Sequence, residues 1–128
     1  MKELTLFISV IFGALAIILG AFGAHALKKI FTEELQKSFE TGVKYQMYHA
    51  ILLLVLGFNL EFNTSIETFA VCSLTLGVVL FSFSIYGLCI SSAKGHKLKF
   101  LGPITPLGGL SLVIGWVLLG VHFMNIGS

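Results

Sequence analysis

The side chains in this sequence best suited to chemistry are two histidines and the polar residues around one of them. His25 closes the first apolar run, and His49 follows Tyr45 at i−4 with Gln46 and Tyr48 beside it. An ionisable group within an apolar stretch is a candidate for relaying a proton, holding a solute or ligating a metal. Tyrosine and histidine near a membrane surface also serve as anchors that keep one polar tip wet. His25, Tyr45, Gln46, Tyr48 and His49 therefore form a candidate polar site at the cytoplasmic end. Hydrogen bonding between the first two helices is the structural alternative. Axial ligation of haem by His25 and His49 is a further reading, but His96 and His122 fall elsewhere and supply no third metal ligand. No metal and no cofactor are expected.

A second candidate is basic. Lys94, Lys97 and Lys99 lead into Gly102 and Pro103, where a helix begins. Free amides at a helix start, its positive dipole end and nearby lysines favour an anion, here an anionic phospholipid headgroup. The plainer reading of the same lysines is a topology signal. No phosphate-loop, nucleophile-elbow or zinc-protease motif is present. There is no aspartate, and all six acidic residues are glutamates outside the long uncharged stretches. Paired-carboxylate catalysis within a membrane is thereby excluded, and the chain is expected not to be an enzyme. A net charge of +2 with no basic-aromatic surface excludes nucleic acid as a partner.

The elements that must carry these residues follow from the distribution of charge. The chain is 56% hydrophobic and 11% charged, with a mean hydropathy of +0.98. Four long stretches, Leu4–Leu27, Tyr45–Leu60, Thr68–Ala93 and Phe100–Ser128, carry no charge and hold 95 of the 128 residues. A bilayer core of about 30 Å needs roughly 20 apolar residues at about 1.5 Å rise each. Three stretches meet that length, and the second, with 16 residues, falls short. The sequence predicts an all-α membrane protein in one domain over 1–128. Its four transmembrane helices cover about 4–26, 45–60, 65–91 and 103–123, with a short amphipathic helix over 32–44 between the first two. In that segment Phe31, Leu35, Phe39 and Val43 share a face. Glu33–Lys37 and Glu40–Lys44 make i,i+4 pairs on the remaining surface, and Thr41-Gly42 offers a bend. Thr64 and Glu67 form a capping box at the start of the third helix.

Lysine placement decides whether the short second segment crosses. Lys28, Lys29, Lys37 and Lys44 lie before it, and Lys94, Lys97 and Lys99 lie before the last helix. If all four segments cross, these seven share one face and only Lys2 is opposite. The positive-inside rule then puts the basic loops in the cytoplasm and both termini outside. The start of the chain imitates a secretory leader, but its apolar run of about 20 residues exceeds the 7–15 usual for one. It is read as the first membrane helix. Cys72 and Cys89 are about 25 Å apart along one helix, too far to pair, and read as packing residues.

Small residues recur at helical spacing: Gly13, Ala16, Gly20 and Ala24 in the first helix, Gly108 and Gly115 in the last. In lipid, helices associate where small residues let backbones approach. These faces serve either packing within the bundle or contact with a second copy or another membrane protein.

Three motifs carry a resemblance. Residues Gly20 to Leu27 (GAFGAHAL), Thr41 to Ala50 (TGVKYQMYHA) and Gly102 to Gly109 (GPITPLGG), the last followed by Gly115-Trp116, resemble those of the small membrane proteins of unknown function typified by bacterial YgdD and YwdK. The match runs in order over nearly the whole chain. It implies a multi-pass protein of the bacterial plasma membrane and implies no reaction. From the residues, the leading expectation is a non-enzymatic accessory or lipid-interacting bundle that self-associates. A small-solute or proton transporter or pore using the His/Tyr site is the alternative, and a haem-binding redox subunit the third.

Overall fold

A computed structural model describes residues 1–126; Gly127 and Ser128, which close the last uncharged stretch, lie outside the described residues. Every regular element among the described residues is helical. Helix α1 spans Lys2–Ala24 and α2 spans Glu33–Asn59. Helix α3, Ser65–Val78, runs through a π-helical turn at Val79–Phe83 into α4, Ser84–Ala93. Helix α5 spans Ile104–Ile126. Short 3₁₀ turns at Leu27–Lys29 and Lys99–Leu101 lead into the loops at one end.

Side-chain neighbours give the directions of the rods. Gly57 lies against Leu6, Gly13 against Ala50, Gly20 against Val43 and Gly23 against Phe39, so α1 and α2 are antiparallel. Gly77 lies against Leu112 and Gly115 against Leu74, so α3 and α5 are antiparallel too. The result is an up-down-up-down bundle with the lysine-bearing loops at one end and both termini at the other. Three helical stretches, Lys2–Lys29, Ser65–Ala93 and Lys99–Ile126, are long and apolar enough to cross a membrane. Helix α2 is long enough, but Lys44, Tyr45, Gln46, Tyr48 and His49 dilute its hydropathy.

One expectation is corrected here. The amphipathic segment 32–44 is not a separate helix; it forms the first turns of α2, which continues unbroken for 27 residues. Thr32 caps it by accepting the Leu35 amide at 3.2 Å. The Glu33–Lys37 pair forms at 3.9 Å on the exposed face, whereas Glu40 accepts from Gln36 Nε2 at 3.4 Å instead of pairing with Lys44. No bend occurs at Thr41-Gly42, because Gly42 serves close approach. A Cβ there would sit 2.8 Å from the Tyr86 ring. The apolar face of these turns is buried in the bundle: Phe39 is fully enclosed, with the rings of Phe31 and Tyr86 centred 5.3 and 5.0 Å away.

The core falls into two clusters. One joins Phe12, Leu53, Leu74, Val78 and Leu112, and the other joins Phe39, Ile85, Tyr86 and Cys89. Cys89 thus packs as expected, while Cys72 is exposed on the bundle surface. The small residues of α1 and α5 are used inside the chain. Gly13 and Gly20 face α2, Ala16 is buried, and Gly23, rather than the exposed Ala24, takes the Phe39 ring. Gly108 makes the closest approach: a Cβ would overlap the backbone nitrogen of Phe81 within the π-helical turn. After α4, Gly95 at φ +82 closes a Schellman motif, with His96 N–H donating to Ser91 O at 2.9 Å and Gly95 N–H to Ser92 O at 3.1 Å.

Backbone cannot yield as a side-chain tip can, so Gly108→Ala is expected to destabilise the bundle by about 1–3 kcal/mol. Gly120 has open space around its Cα. Gly120→Ala should therefore be neutral or gain up to about 1 kcal/mol from helix propensity. Thermal unfolding of both variants in detergent, followed by circular dichroism, checks the contrast; equal stabilities would contradict this packing.

Candidate functional site

The expected polar site does not assemble as one cluster. His25 sits at the exposed C-cap of α1. The α1–α2 register puts Ala50 beside Gly13, so His49 lies about twelve residues, or about 18 Å, deeper along the bundle. Tyr45 and Tyr48 are exposed on the outer surface of α2, 42% and 58%, with ring centres 5.9 Å apart. The Tyr45 ring stacks on Phe81 at 5.1 Å.

Gln46 points the other way and is completely buried. Its Nε2 donates to the Phe12 carbonyl of α1 at 2.8 Å, and its Oε1 accepts from the Tyr86 hydroxyl of α4 at 2.7 Å. One turn nearer the lysine end, Ser82 donates to the Gly42 carbonyl at 2.7 Å. Together these bonds tie α1, α2 and the α3–α4 rod at mid-depth. Neither Tyr86 nor Ser82 could be assigned this role from sequence, because only the packing of helices distant in the chain brings them to Gln46 and Gly42.

His49 is committed as well. Its Nδ1 lies 2.6 Å from the Tyr45 carbonyl, which only accepts, so Nδ1 carries the proton. The indole Nε1–H of Trp116 donates to Nε2 at 3.1 Å. The ring is a neutral imidazole with both nitrogens engaged. Ligating haem or a metal through Nε2, or protonating it for a relay, would break the Trp116 bond. Trp116 was not expected as its partner, since the two lie 67 positions apart.

At the opposite end the bundle holds a pair that the sequence reading missed. Glu67, expected outside the apolar spans, is only 5% exposed in the first turn of α3. One carboxylate oxygen accepts the Thr64 amide at 3.5 Å, an arm of the expected capping box, and the other lies 3.4 Å from His122 Nε2 of α5. The capping box was visible in the sequence, but the register that supplies His122 was not.

The basic candidate site is partly assembled. A cavity of about 500 Å³ opens at the lysine end between α2, α4 and the start of α5. Lys97 and Gly102 line it; Lys94, Lys99 and Pro103 do not. Glu34 of α2 lines it too, with Ser38, Thr41 and Ser92 adding hydroxyls and Ile85, Leu88 and Pro106 an apolar wall. Its volume falls within the roughly 300–1,000 Å³ of small-molecule pockets. The α5 wall is pinned by the 2.6 Å bond between the hydroxyls of Ser84 and Thr105. No group of three or more His, Cys, Asp or Glu side chains among the described residues could hold a metal.

A bundle of long apolar helices whose deepest polar side chains, Gln46, Ser82 and His49, are bonded within the chain defines a multi-pass helical membrane protein. Residues 19–109 match the family described as "Protein of unknown function (DUF423)", a stretch that contains every residue lining the cavity. The UPF0382 membrane protein YwdK of Bacillus subtilis is 38% identical over 84% of this chain and 85% of its own length. The UPF0382 membrane protein C1782.12c of Schizosaccharomyces pombe is 40% identical over 81% and 87%. A UPF0382 membrane protein of Haemophilus influenzae is 31% identical over 93% and 92%. No solved structure matches the chain. The chain belongs to the DUF423/UPF0382 family of membrane proteins, as its three motifs implied.

The bonds around His49 give a direct expectation. Nitrogen-15 NMR of the imidazole in lipid should show Nδ1 protonated and Nε2 bare. Trp116→Phe, which keeps a ring and deletes the donor, should cost about 1–3 kcal/mol by leaving Nε2 unpartnered. A protonated Nε2 in the unaltered protein would contradict the assignment.

Proposed function

We propose that this protein is a non-enzymatic accessory protein of the bacterial plasma membrane that binds a phospholipid headgroup at its lysine-bearing end. The cavity beside Lys97 is the observation that carries the reading. It combines a cation, hydroxyls and an apolar wall at the end of the bundle where headgroups lie. The interior polar groups argue against a solute path through the centre, because Gln46 and His49 are fully engaged in bonds that hold helices together.

In this reading α2 crosses the bilayer with the other three rods. It is antiparallel to α1 from Phe39 to Gly57, and its mid-depth Gln46 and His49 are bonded to protein partners. The lysine loops then lie in the cytoplasm and both termini outside. Self-association would use the exposed aromatic surface of Tyr48 and Trp116, since the glycine faces are taken up within the bundle. A defined oligomer in native mass spectrometry would support that part.

Two measurements test the proposal. Single cysteines placed at Ile30 and His96 should react with an impermeant maleimide only after the cells are opened. One at Asn63 should react in intact cells, and labelling of Ile30 and His96 from opposite sides would overturn the four-crossing topology. Lys97→Ala should lower co-purified anionic or zwitterionic phospholipid by about fivefold, the worth of about 1 kcal/mol for one lysine near a membrane surface. Unchanged lipid retention would remove the headgroup site.

A further inference from the structure

The headgroup cavity carries both signs of charge. Glu34 in the first turn of α2 and Lys97 in the loop after α4 both line it. They do not pair with each other. Among the described residues neither has an ion-pair or hydrogen-bond partner, although neighbouring Glu33 pairs with Lys37. The hydroxyls of Ser38 and Ser92 on the same walls are likewise without a protein partner among the described residues. The cavity therefore presents a carboxylate and an ammonium, unpaired and each open to a ligand.

That pattern restricts the occupant. A ligand with one negative charge would satisfy Lys97 and set its charge against the Glu34 carboxylate. A ligand with one positive charge would reverse the conflict. A zwitterion satisfies both charges at once. The absence of an aromatic ring among the lining residues separates the kinds of cation. Quaternary ammonium groups are held by aromatic cages, whereas a carboxylate and hydroxyls suit a cation that can donate N–H bonds. The apolar wall of Ile85, Leu88 and Pro106 gives a hydrocarbon portion somewhere to lie.

We propose that the cavity binds a phospholipid bearing a phosphodiester and a primary ammonium, an aminophospholipid, with Lys97 on the phosphate and Glu34 on the ammonium. This rests on the headgroup reading above and deepens it.

The test places the full chain in nanodiscs with equal amounts of three lipids with identical acyl chains: phosphatidylethanolamine, phosphatidylcholine and phosphatidylglycerol. Lipid retained after extraction is read by native mass spectrometry. Phosphatidylethanolamine should be retained about tenfold over both others, the value of one charge-assisted contact. Glu34→Gln, an exposed change checked for folding by circular dichroism, should erase the preference over phosphatidylglycerol while retention of the latter persists. Equal retention of all three lipids, or a preference that survives Glu34→Gln, would overturn the aminophospholipid assignment and leave the headgroup site standing. Absence of any retained lipid would overturn both. Water-soluble glycerophosphoethanolamine should not displace the lipid; displacement would make the soluble headgroup the occupant and refute the lipid assignment.

Discussion

The constraint on which this fold depends is that a polar group inside a lipid-embedded bundle has no water to bond with. An unpartnered amide or hydroxyl there costs several kcal/mol. Gln46 shows how the chain meets it, since one side chain donates to the backbone of α1 and accepts from the tyrosine of α4. The net gain from each such bond in a membrane is only about 0.6 kcal/mol on average. Its importance lies in the alternatives it forbids: sliding α2 by one residue along either neighbour would strand the amide. The bonds therefore fix register more than they supply stability.

Close approach of backbones provides the attraction. Lipid tails compete for apolar side chains as well as other helices do, so association relies on van der Waals contact at small residues. Gly13 and Gly20 admit α2 to α1, and Gly108 and Gly115 admit α3 and its π-helical turn to α5. The two antiparallel pairs are joined across Gly42 and Tyr86, where the same logic meets the buried hydrogen bonds. Glycine packing and polar ties thus alternate along the depth of the bundle.

The helical class, the three apolar rods and the cap at Thr64 were legible in the sequence because each is a local pattern. Absence of charge over twenty residues, or Thr-x-x-Glu before an apolar run, does not depend on what packs against it. The error over α2 had a specific cause. Lys44 and its polar neighbours look like the edge of a membrane helix and point to a start at Tyr45, whereas the helix starts at Glu33. A shift of twelve residues is about 18 Å of depth, which is why His25 and His49 were expected side by side and are not. Trp116, Tyr86 and His122 were illegible as partners for another reason: their roles exist only once antiparallel helices settle in register. At the basic end, the lysines point to the right region, but the glutamate completing the cavity comes from the amphipathic segment before Tyr45, which the pattern sets apart from α2.

The π-helical turn at Val79–Phe83 has a consequence for how one rod serves two masters. A π turn holds about one residue more than an α turn, so the helix beyond it is rotated by about 100° relative to an uninterrupted one. Before the turn, Ala70, Leu74 and Gly77 point at α5; within and after it, Ser82, Tyr86 and Cys89 point at α2. A straight 29-residue helix would carry a single azimuth from end to end and leave one of these partners facing the wrong side chains. The surplus residue works as a phase corrector, much as a half-step inserted in a gear train lets two wheels of different pitch mesh on one shaft.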